Sequence, residues 1–258
     1  MKKAIKNALK HRFLLIELVK KGITLKYRRS YLGILWSLIE PLMTTVVLVV
    51  VFGTLLNKGD GDFPVYIIAA RLMWTFFSGG TKSAAKSVRK NSQMVKKVYV
   101  PKYLFPTASV VYSFVIYIIS LLALVAVMAV TRVAPTHYIW QTIPALLLIF
   151  LITQGVGMVL SVLMVFFRDV EYLWNVCTMI IMYMCAIFYP VEKIMESQWA
   201  FTLKLNPVYC SIDIFRGGVL GYMAPSWDYM YAAGFGVVAL LIGIILFKWK
   251  QDDFILYL

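Results

Sequence analysis

Six long apolar runs, separated by polar or charged stretches, dominate the hydrophobic pattern of the chain. A membrane-spanning helix needs roughly 20 predominantly apolar residues, and several of the runs reach that length. The pattern therefore predicts an all-α polytopic membrane protein with six transmembrane helices. The predicted spans cover residues 34–56, 64–80, 107–130, 142–167, 173–189 and 229–247.

The N-terminal stretch 1–30 has a different pattern, in which basic and apolar residues alternate with the period of a helix. The apolar side chains on one broad side of a helical wheel are Ile5, Leu9, Phe13, Leu15, Ile16, Val19 and Ile23. Arg12, Leu14, Leu18 and Lys20 depart from this pattern. We predict an amphipathic helix in the membrane interface over 1–30, preceding a six-helix transmembrane domain over 31–258. An ordinary solvated helix is the alternative.

The stretch 190–227 contains apolar pieces that are too short to cross a membrane. Pro207, Gly217, Gly218 and Gly221 interrupt them further. Short helices that dip into the membrane and turn back fit this pattern, provided that protein or a water-filled cavity satisfies their backbone. A plain external loop is the alternative.

The distribution of basic residues predicts the orientation. The chain has 26 Lys and Arg against 12 Asp and Glu, a formal net charge of +14. With six spans and both termini in the cytoplasm, 20 of the 26 lie on the inner side, five lie outside, and Arg71 lies within the second span. The positive-inside rule favours this arrangement in the cell membrane. No soluble region is left to bind nucleic acid, so the charge indicates contact with membrane lipids.

A basic loop, residues 81–106, separates the second and third predicted spans. It carries seven Lys or Arg residues and no Asp or Glu. One interpretation is a loop that only sets the topology. The other is a segment held against the cytoplasmic face, on which a soluble partner pushes.

The residues needed for catalysis are not grouped in this sequence. His11 and His137 fall on opposite sides of the predicted membrane, and no carboxylate lies in the middle of a span. The sequence has no phosphate-binding GxxxxGK[ST] loop, and Asp60 with Asp62 offers too few ligands for calcium. We therefore predict no enzyme and no catalytic, cofactor or metal site on this chain. Energy for uphill transport must come from another chain.

Aromatic residues make up 15% of the chain, and many lie in or beside a span. Aromatic faces can stack on sugar rings, although packing against lipid explains most such residues equally well. Arg71 either faces a polar pathway or extends towards the outer interface. The candidates for lining a channel are Tyr66, Arg71, Trp74, Phe76, Tyr183, Phe188 and Tyr189.

Short motifs follow one another in a fixed order along these spans. They are Lys26-Tyr27-Arg28, Tyr31-Leu32-Gly33-Ile34-Leu35-Trp36 with Pro41, Val95-Lys96-Lys97-Val98-Tyr99-Val100-Pro101, Phe167-Arg168-Asp169, Phe188-Tyr189-Pro190, and Asn206-Pro207 with Arg216. In their order and spacing, the chain resembles the membrane subunits of type-two ABC exporters of polysaccharides and polyol phosphates over nearly its whole length. These are Wzm-like and TagG-like permeases of O-antigen and teichoic acid export.

The resemblance implies a homodimer that is joined to two copies of a separate ATPase, which binds ATP and Mg. A lipid-linked glycan would pass through a channel between the protomers. A coupling helix over about residues 84–99, within a coupling segment 84–101, would dock on the ATPase.

The residues to which the resemblance gives roles fall into three groups. The ATPase contacts would be Met94, Lys96, Lys97, Val98, Tyr99 and Pro101. The cytoplasmic interface would contain Tyr27, Arg28, Arg29, Tyr31, Arg168 and Asp169. The outer gate, in the re-entrant segment, would contain Asn206, Pro207 and Arg216.

One departure from the family pattern is Arg71, where we expect a neutral start to the aromatic patch of the second span. It leaves the type of glycan open. Alternatives to a glycan exporter are a small-molecule or drug exporter of the same fold, a membrane-embedded glycan-modifying enzyme, and a structural scaffold.

Overall fold

A computed structural model describes residues 12–28, 30–56, 61–97, 100–195, 198 and 200–257, and the regular structure within these residues is helical. Residues 1–11, Arg29, Asp60, Val98 and Tyr99, which carry parts of the predictions above, lie outside the described residues. The helices in chain order are α1 (Arg12–Tyr27), α2 (Trp36–Leu56), α3 (Phe63–Lys90), α4 (Ser92–Lys97), α5 (Leu104–Thr131), α6 (Thr142–Phe166), α7 (Val170–Tyr183), α8 (Glu192–Met195), α9 (Ala200–Lys204), α10 (Pro207–Leu220), α11 (Ser226–Lys250) and α12 (Phe254–Tyr257).

Four helical stretches are long and apolar enough to cross a membrane. They are Gly33–Leu55, Leu104–Thr131, His137–Phe166 and Ser226–Lys250. They coincide with the first, third, fourth and sixth predicted spans. The prediction of an all-helical protein with several membrane helices is confirmed, while the count of six stays a prediction.

The second predicted span is part of a longer helix than the sequence suggested. Helix α3 continues from Phe63 to Lys90, ten residues past the predicted end at residue 80. The basic stretch from Thr81 onwards is helical for its first ten residues, in which Ala84, Ala85 and Val88 are buried against neighbouring helices. The helix expected over about residues 84–99 is divided between the end of α3 and α4. The helix ends at Asn91, whose side-chain amide donates to the Ser87 carbonyl at 2.8 Å.

The fifth predicted span, 173–189, is only partly helical. Helix α7 has 14 residues and ends at Tyr183. At about 1.5 Å per residue it is roughly 21 Å long, which is short of the ~30 Å hydrocarbon core. The segment 184–191 that follows is irregular, and residues 185–188 are buried. Here the hydrophobic run does not correspond to one helix. The side chains of a buried irregular segment are as apolar as those of a membrane helix, so the sequence alone does not separate the two.

Helices α3 and α6 form the centre of the bundle, and α6 also packs along α11. The α6–α11 contact is closest at Gly155. A Cβ atom added there would lie 2.6 Å from the amide nitrogen of Leu240 and 2.8 Å from the carbonyl carbon of Ala239. Small residues allow such an approach of two backbones inside a membrane, where packing replaces the hydrophobic effect as the source of stability.

Helix α10 is enclosed by α3, α6, α11 and the 3-10 turn His137–Gln141. The sequence indicated broken apolar pieces here, but the structure has one 14-residue helix. Pro207 is accommodated in the first turn, where its missing amide proton is not needed. The helix ends at Gly221, whose φ of 92° is readily available only to glycine. The re-entrant path of this region stays a prediction.

Helix α1 packs along α5 and has apolar residues on two sides. Leu18, which departed from the predicted apolar side, packs against a buried cluster that contains Val95 and Phe105. Phe13 and Ile16, on the predicted side, are exposed. Leu15, Val19 and Ile23 of the predicted side are half-buried like Leu18, so protein covers part of that side and its exposed residues remain available to lipid.

We expect the substitution Gly155→Ala to destabilise the protein, because the new methyl group meets backbone that cannot rotate away. Overpacking of this kind costs about 1–3 kcal/mol. The matched control is Gly234→Ala on α11, where a Cβ has nothing within 4 Å. Thermal unfolding of the detergent-solubilised proteins should show a lower midpoint for Gly155→Ala only. Equal midpoints would contradict the close packing of α6 and α11.

Candidate functional site

The structure brings together residues that the sequence assigned to different roles. Tyr66, the segment 184–189, Asn206 and Arg216 meet at one end of the bundle, and we call this group the Arg216 cluster. It combines two predicted gate residues with three channel candidates, Tyr66 and the Phe188-Tyr189 pair.

Arg216 is completely buried, at 0% exposure. Its Nε donates to the carbonyl of Tyr66 at 3.2 Å, and its Nη2 donates to the carbonyls of Ala186 at 3.0 Å and Ile187 at 3.4 Å. The guanidinium carbon lies 3.5 Å from the centre of the Tyr66 ring. Backbone dipoles and the π-face of the ring stabilise the cation in place of a carboxylate.

Tyr66 and Asn206 complete the cluster. The Tyr66 hydroxyl donates towards the carbonyls of Ala186 and Tyr189, at 3.3 and 3.0 Å. The Asn206 amide donates to the carbonyl of Met184 at 3.2 Å, while its oxygen accepts from the first amides of α10. Asn206 is therefore the N-cap of α10 and also ties α10 to the segment after α7.

The Arg216 cluster satisfies the backbone of the segment that follows α7. A helix end leaves carbonyls without partners, and an apolar environment offers no water to replace them. Side chains from α3 and α10 supply the missing donors. Ala186 has a φ of 46°, an unfavourable left-handed conformation that persists only where surrounding contacts impose it. Movement of α10 away from this segment would break the bonds of Arg216 and Asn206 to it together.

The opposite end of the bundle is basic. In α4, Val95 is buried and Met94 packs beside it, while Lys96 and Lys97 are exposed. The short helix is thus held by its apolar side and presents two cations to solvent. Pro101, the next predicted coupling residue that the structure describes, is half-buried.

The basic end also contains a cavity of about 420 Å³. Its charged lining residues are Lys86, Arg89, Lys90, Arg168 and Glu171. Because four of these residues are basic and one is acidic, the cavity is suited to binding an acidic group. Lys86 Nζ lies 2.5 Å from Glu171 Oε1, which joins the end of α3 to the first turn of α7.

The other predicted interface residues do not form one site. Arg28, Tyr31 and Asp169 are exposed, and Tyr27 is half-buried. They lie on separate elements: the end of α1, the segment before α2, and the N-cap position of α7.

Half of the six candidate aromatic residues are buried in the interior. Trp74, Phe76 and Phe188 are only 6%, 3% and 8% exposed. Phe188 stacks on Phe52 with ring centres 5.4 Å apart. The three side chains stabilise the core of one chain, Phe76 also borders a cavity between α2, α3 and α5, and their place along a channel stays a prediction. Tyr183, at 58% exposure, is accessible.

Sequence reasoning missed Gln141, which is fully buried. Its amide nitrogen donates to the carbonyl of Tyr222 at 2.9 Å, and its oxygen accepts from Ala224 N at 3.1 Å and from the Tyr229 hydroxyl at 2.7 Å. Gln141 thus holds the turn between α10 and α11. The only signal in the sequence is one amide at the start of an apolar run.

The C-terminal tail was also missed. Lys102 donates to the carbonyl of Gln251, and Phe254 is fully buried against Phe166 and Phe247. Burial lowers the pKa of Lys102, and the nearby Asp252 and Asp253 partly offset this. A phenylalanine within a charged tail was the available signal. The tail fastens the basic loop to α6 and α11.

Long apolar helices, a buried arginine that binds backbone carbonyls, and a basic end define a multi-pass α-helical membrane protein. The chain belongs to the ABC-2 type transporter membrane family, whose model matches residues 14–220. The resemblance inferred from the motifs is thereby confirmed.

Relatives match over nearly the full chain. The O-antigen export system permease protein RfbA of Myxococcus xanthus is 26% identical, with 98% of each chain covered. RfbA of Klebsiella pneumoniae is 25% identical, with 91% of each chain covered. The polysialic acid transport protein KpsM of Escherichia coli is 22% identical and covers 90% of this chain and 91% of its own.

Replacing Arg216 by Gln should destabilise the protein by about 3 kcal/mol, because buried carbonyls lose their donors. Arg216→Lys should rescue little, since an ammonium group cannot reproduce the planar fork. The exposed Arg132, changed to Gln, is the control. The measurement is the unfolding midpoint in detergent, together with protease sensitivity of the segment 184–206. Protection equal to that of the unmodified protein would contradict this role of Arg216.

Proposed function

We propose that this chain is the permease subunit of an ATP-driven exporter, and that it moves a lipid-linked polysaccharide out of the cell through a channel between two copies of itself. The observation that carries the proposal is the match along nearly the whole chain to permeases named for the export of O-antigen and polysialic acid. The chain itself does not hydrolyse ATP in this proposal, and a separate ATPase supplies the energy.

The basic end is the proposed docking site for the ATPase. Lys96 and Lys97 are exposed on a helix whose other side is anchored by Val95. A rigidly held pair of cations transmits force better than a mobile loop does. Electrostatic attraction would also speed the encounter with an acidic surface. The bridge between Lys86 and Glu171 would pass displacement of this end to α7.

The faces of α2 and α7 are the proposed contact between protomers. Both helices expose apolar residues within one chain, such as Val46 and Val50 on α2 and Val176 and Ile180 on α7. Helix α7 is too short to span the bilayer by itself, so its ends favour contact with protein over lipid. A second copy would provide that contact.

Charge reversal in the double variant Lys96→Glu/Lys97→Glu should lower export at least tenfold while the protein still folds, because the ATPase contact becomes repulsive. ATP hydrolysis by the assembled complex should no longer respond to substrate. The matched control is Lys21→Glu/Lys248→Glu, which makes the same change in charge at two exposed positions outside α4. Export of the polymer to the cell surface is the readout. Unchanged export in the first variant would count against the proposed docking site.

A second measurement separates a glycan exporter from a drug exporter of the same fold. The reconstituted complex should hydrolyse ATP faster when a lipid-linked glycan is added, and should not respond to lipophilic small molecules. The opposite pattern of stimulation would favour the drug exporter. Formation of a modified glycan by the chain alone, without nucleotide, would instead support an enzyme.

A further inference from the structure

A cavity of about 210 Å³, with charged and hydroxyl groups in a partly apolar lining, lies within one protomer between α2, α3 and α5. Along α3 it extends from Arg71 to Ser83, a distance of about 18 Å at the rise of an α-helix. Lys26, at the end of α1, and Glu40, near the start of α2, also line it. The cavity therefore reaches from the basic end into the middle of the bundle, where a cation without a partner is costly.

The cavity contains hydrogen-bond donors that the protein does not use. Arg71 is half-buried, and within the described part of the chain it makes no direct hydrogen bond or salt bridge, although the negative charge of Glu40 acts on it. The hydroxyl of Tyr117 is buried without a partner, in a side chain that is only 3% exposed. Ser113 and Ser120, in the same wall, already donate to carbonyls of their own helix.

The balance of groups favours an anionic acceptor. Two cations, Arg71 and Lys26, face one carboxylate, Glu40, so the cavity has an excess positive charge. A guanidinium binds the oxygens of a phosphate through two parallel hydrogen bonds. The Tyr117 hydroxyl would donate a third bond inside the cavity.

The size of the cavity limits the ligand. Pockets for drug-sized molecules occupy roughly 300–1,000 Å³, so 210 Å³ is too small for a sugar chain but large enough for one phosphate group. Helix α5, which forms another wall, exposes Ile118, Leu122 and Val125 on its surface. Hydrocarbon chains attached to the phosphate could lie along that apolar surface while the phosphate enters between the helices.

We propose that this cavity binds the phosphate group of a lipid, with Arg71 as the main ligand and Tyr117 as a second donor. The lipid enters from the leaflet next to the basic end. Its source is either bulk phospholipid or the phosphorylated lipid carrier of the exported glycan. Only the second source rests on the proposed function. Because lipid binding is measured without ATPase or nucleotide, the proposed lipid site and the proposed export function can fail separately.

The test uses the purified chain, delipidated in detergent. Three lipids are titrated against it, and their binding is measured by native mass spectrometry. Phosphatidylglycerol and a polyprenyl monophosphate carry the phosphate, and diacylglycerol lacks it. We expect both phosphate lipids to bind saturably with one high-affinity site per chain, and diacylglycerol not to compete. Tighter binding of the polyprenyl phosphate identifies the carrier as the ligand. Equal or weaker binding identifies bulk phospholipid.

The substitution Arg71→Gln should weaken phosphate-lipid binding at least tenfold, as expected for the loss of a charge-assisted bond. Arg71→Lys should recover only part of the lost affinity, since an ammonium group keeps the charge but not the two parallel hydrogen bonds, and Tyr117→Phe should lose several-fold. Arg132→Gln, at an exposed position, is the control. Unfolding midpoints identify a variant that fails to fold, in which case Tyr117→Phe decides the question. Affinities unchanged in Arg71→Gln or Tyr117→Phe, or competition by diacylglycerol, would overturn the proposal and leave a water-filled cavity.

Discussion

The requirement that every backbone carbonyl in an apolar bundle has a donor determines much of this structure. Helix α7 ends too early to cross a membrane, and the carbonyls between Met184 and Tyr189 depend on side chains from other helices. Arg216 serves two of them from a fully buried position. An arginine with its fixed planar fork suits this task, because one side chain can bind several carbonyls and still remain charged.

The same bonds connect the two ends of the molecule. Helix α3 contributes Lys86 at one end, which pairs with Glu171 of α7, and Tyr66 at the other, which binds Ala186 in the segment after α7. Between these points Trp174 of α7 donates to Thr81 of α3 at 3.1 Å. Helix α3 itself thus runs without interruption from the basic end to the Arg216 cluster.

Arg216 and Arg71 show two different solutions for a cation within a helical bundle. The backbone and an aromatic ring surround Arg216, so its charge has a structural role. Arg71 borders a cavity instead, and no described hydrogen bond or ion pair occupies its guanidinium. The charge of Arg71 is offset only in part, by the carboxylate of Glu40, and a cation at a depth where charge is costly is suited to binding an anionic ligand.

The sequence by itself determined the helical class, four of the spans and the family, because long apolar runs and the order of short motifs are properties of the chain alone. It also singled out Asn206, Arg216 and Tyr66. Only the tertiary structure decided where α3 and α7 end, and that Trp74 and Phe76 lie in the core. Hydropathy reports that a residue avoids water, but it does not distinguish lipid, core and channel wall. That distinction depends on which helices pack together, through contacts between residues far apart in sequence such as Tyr66 and Arg216.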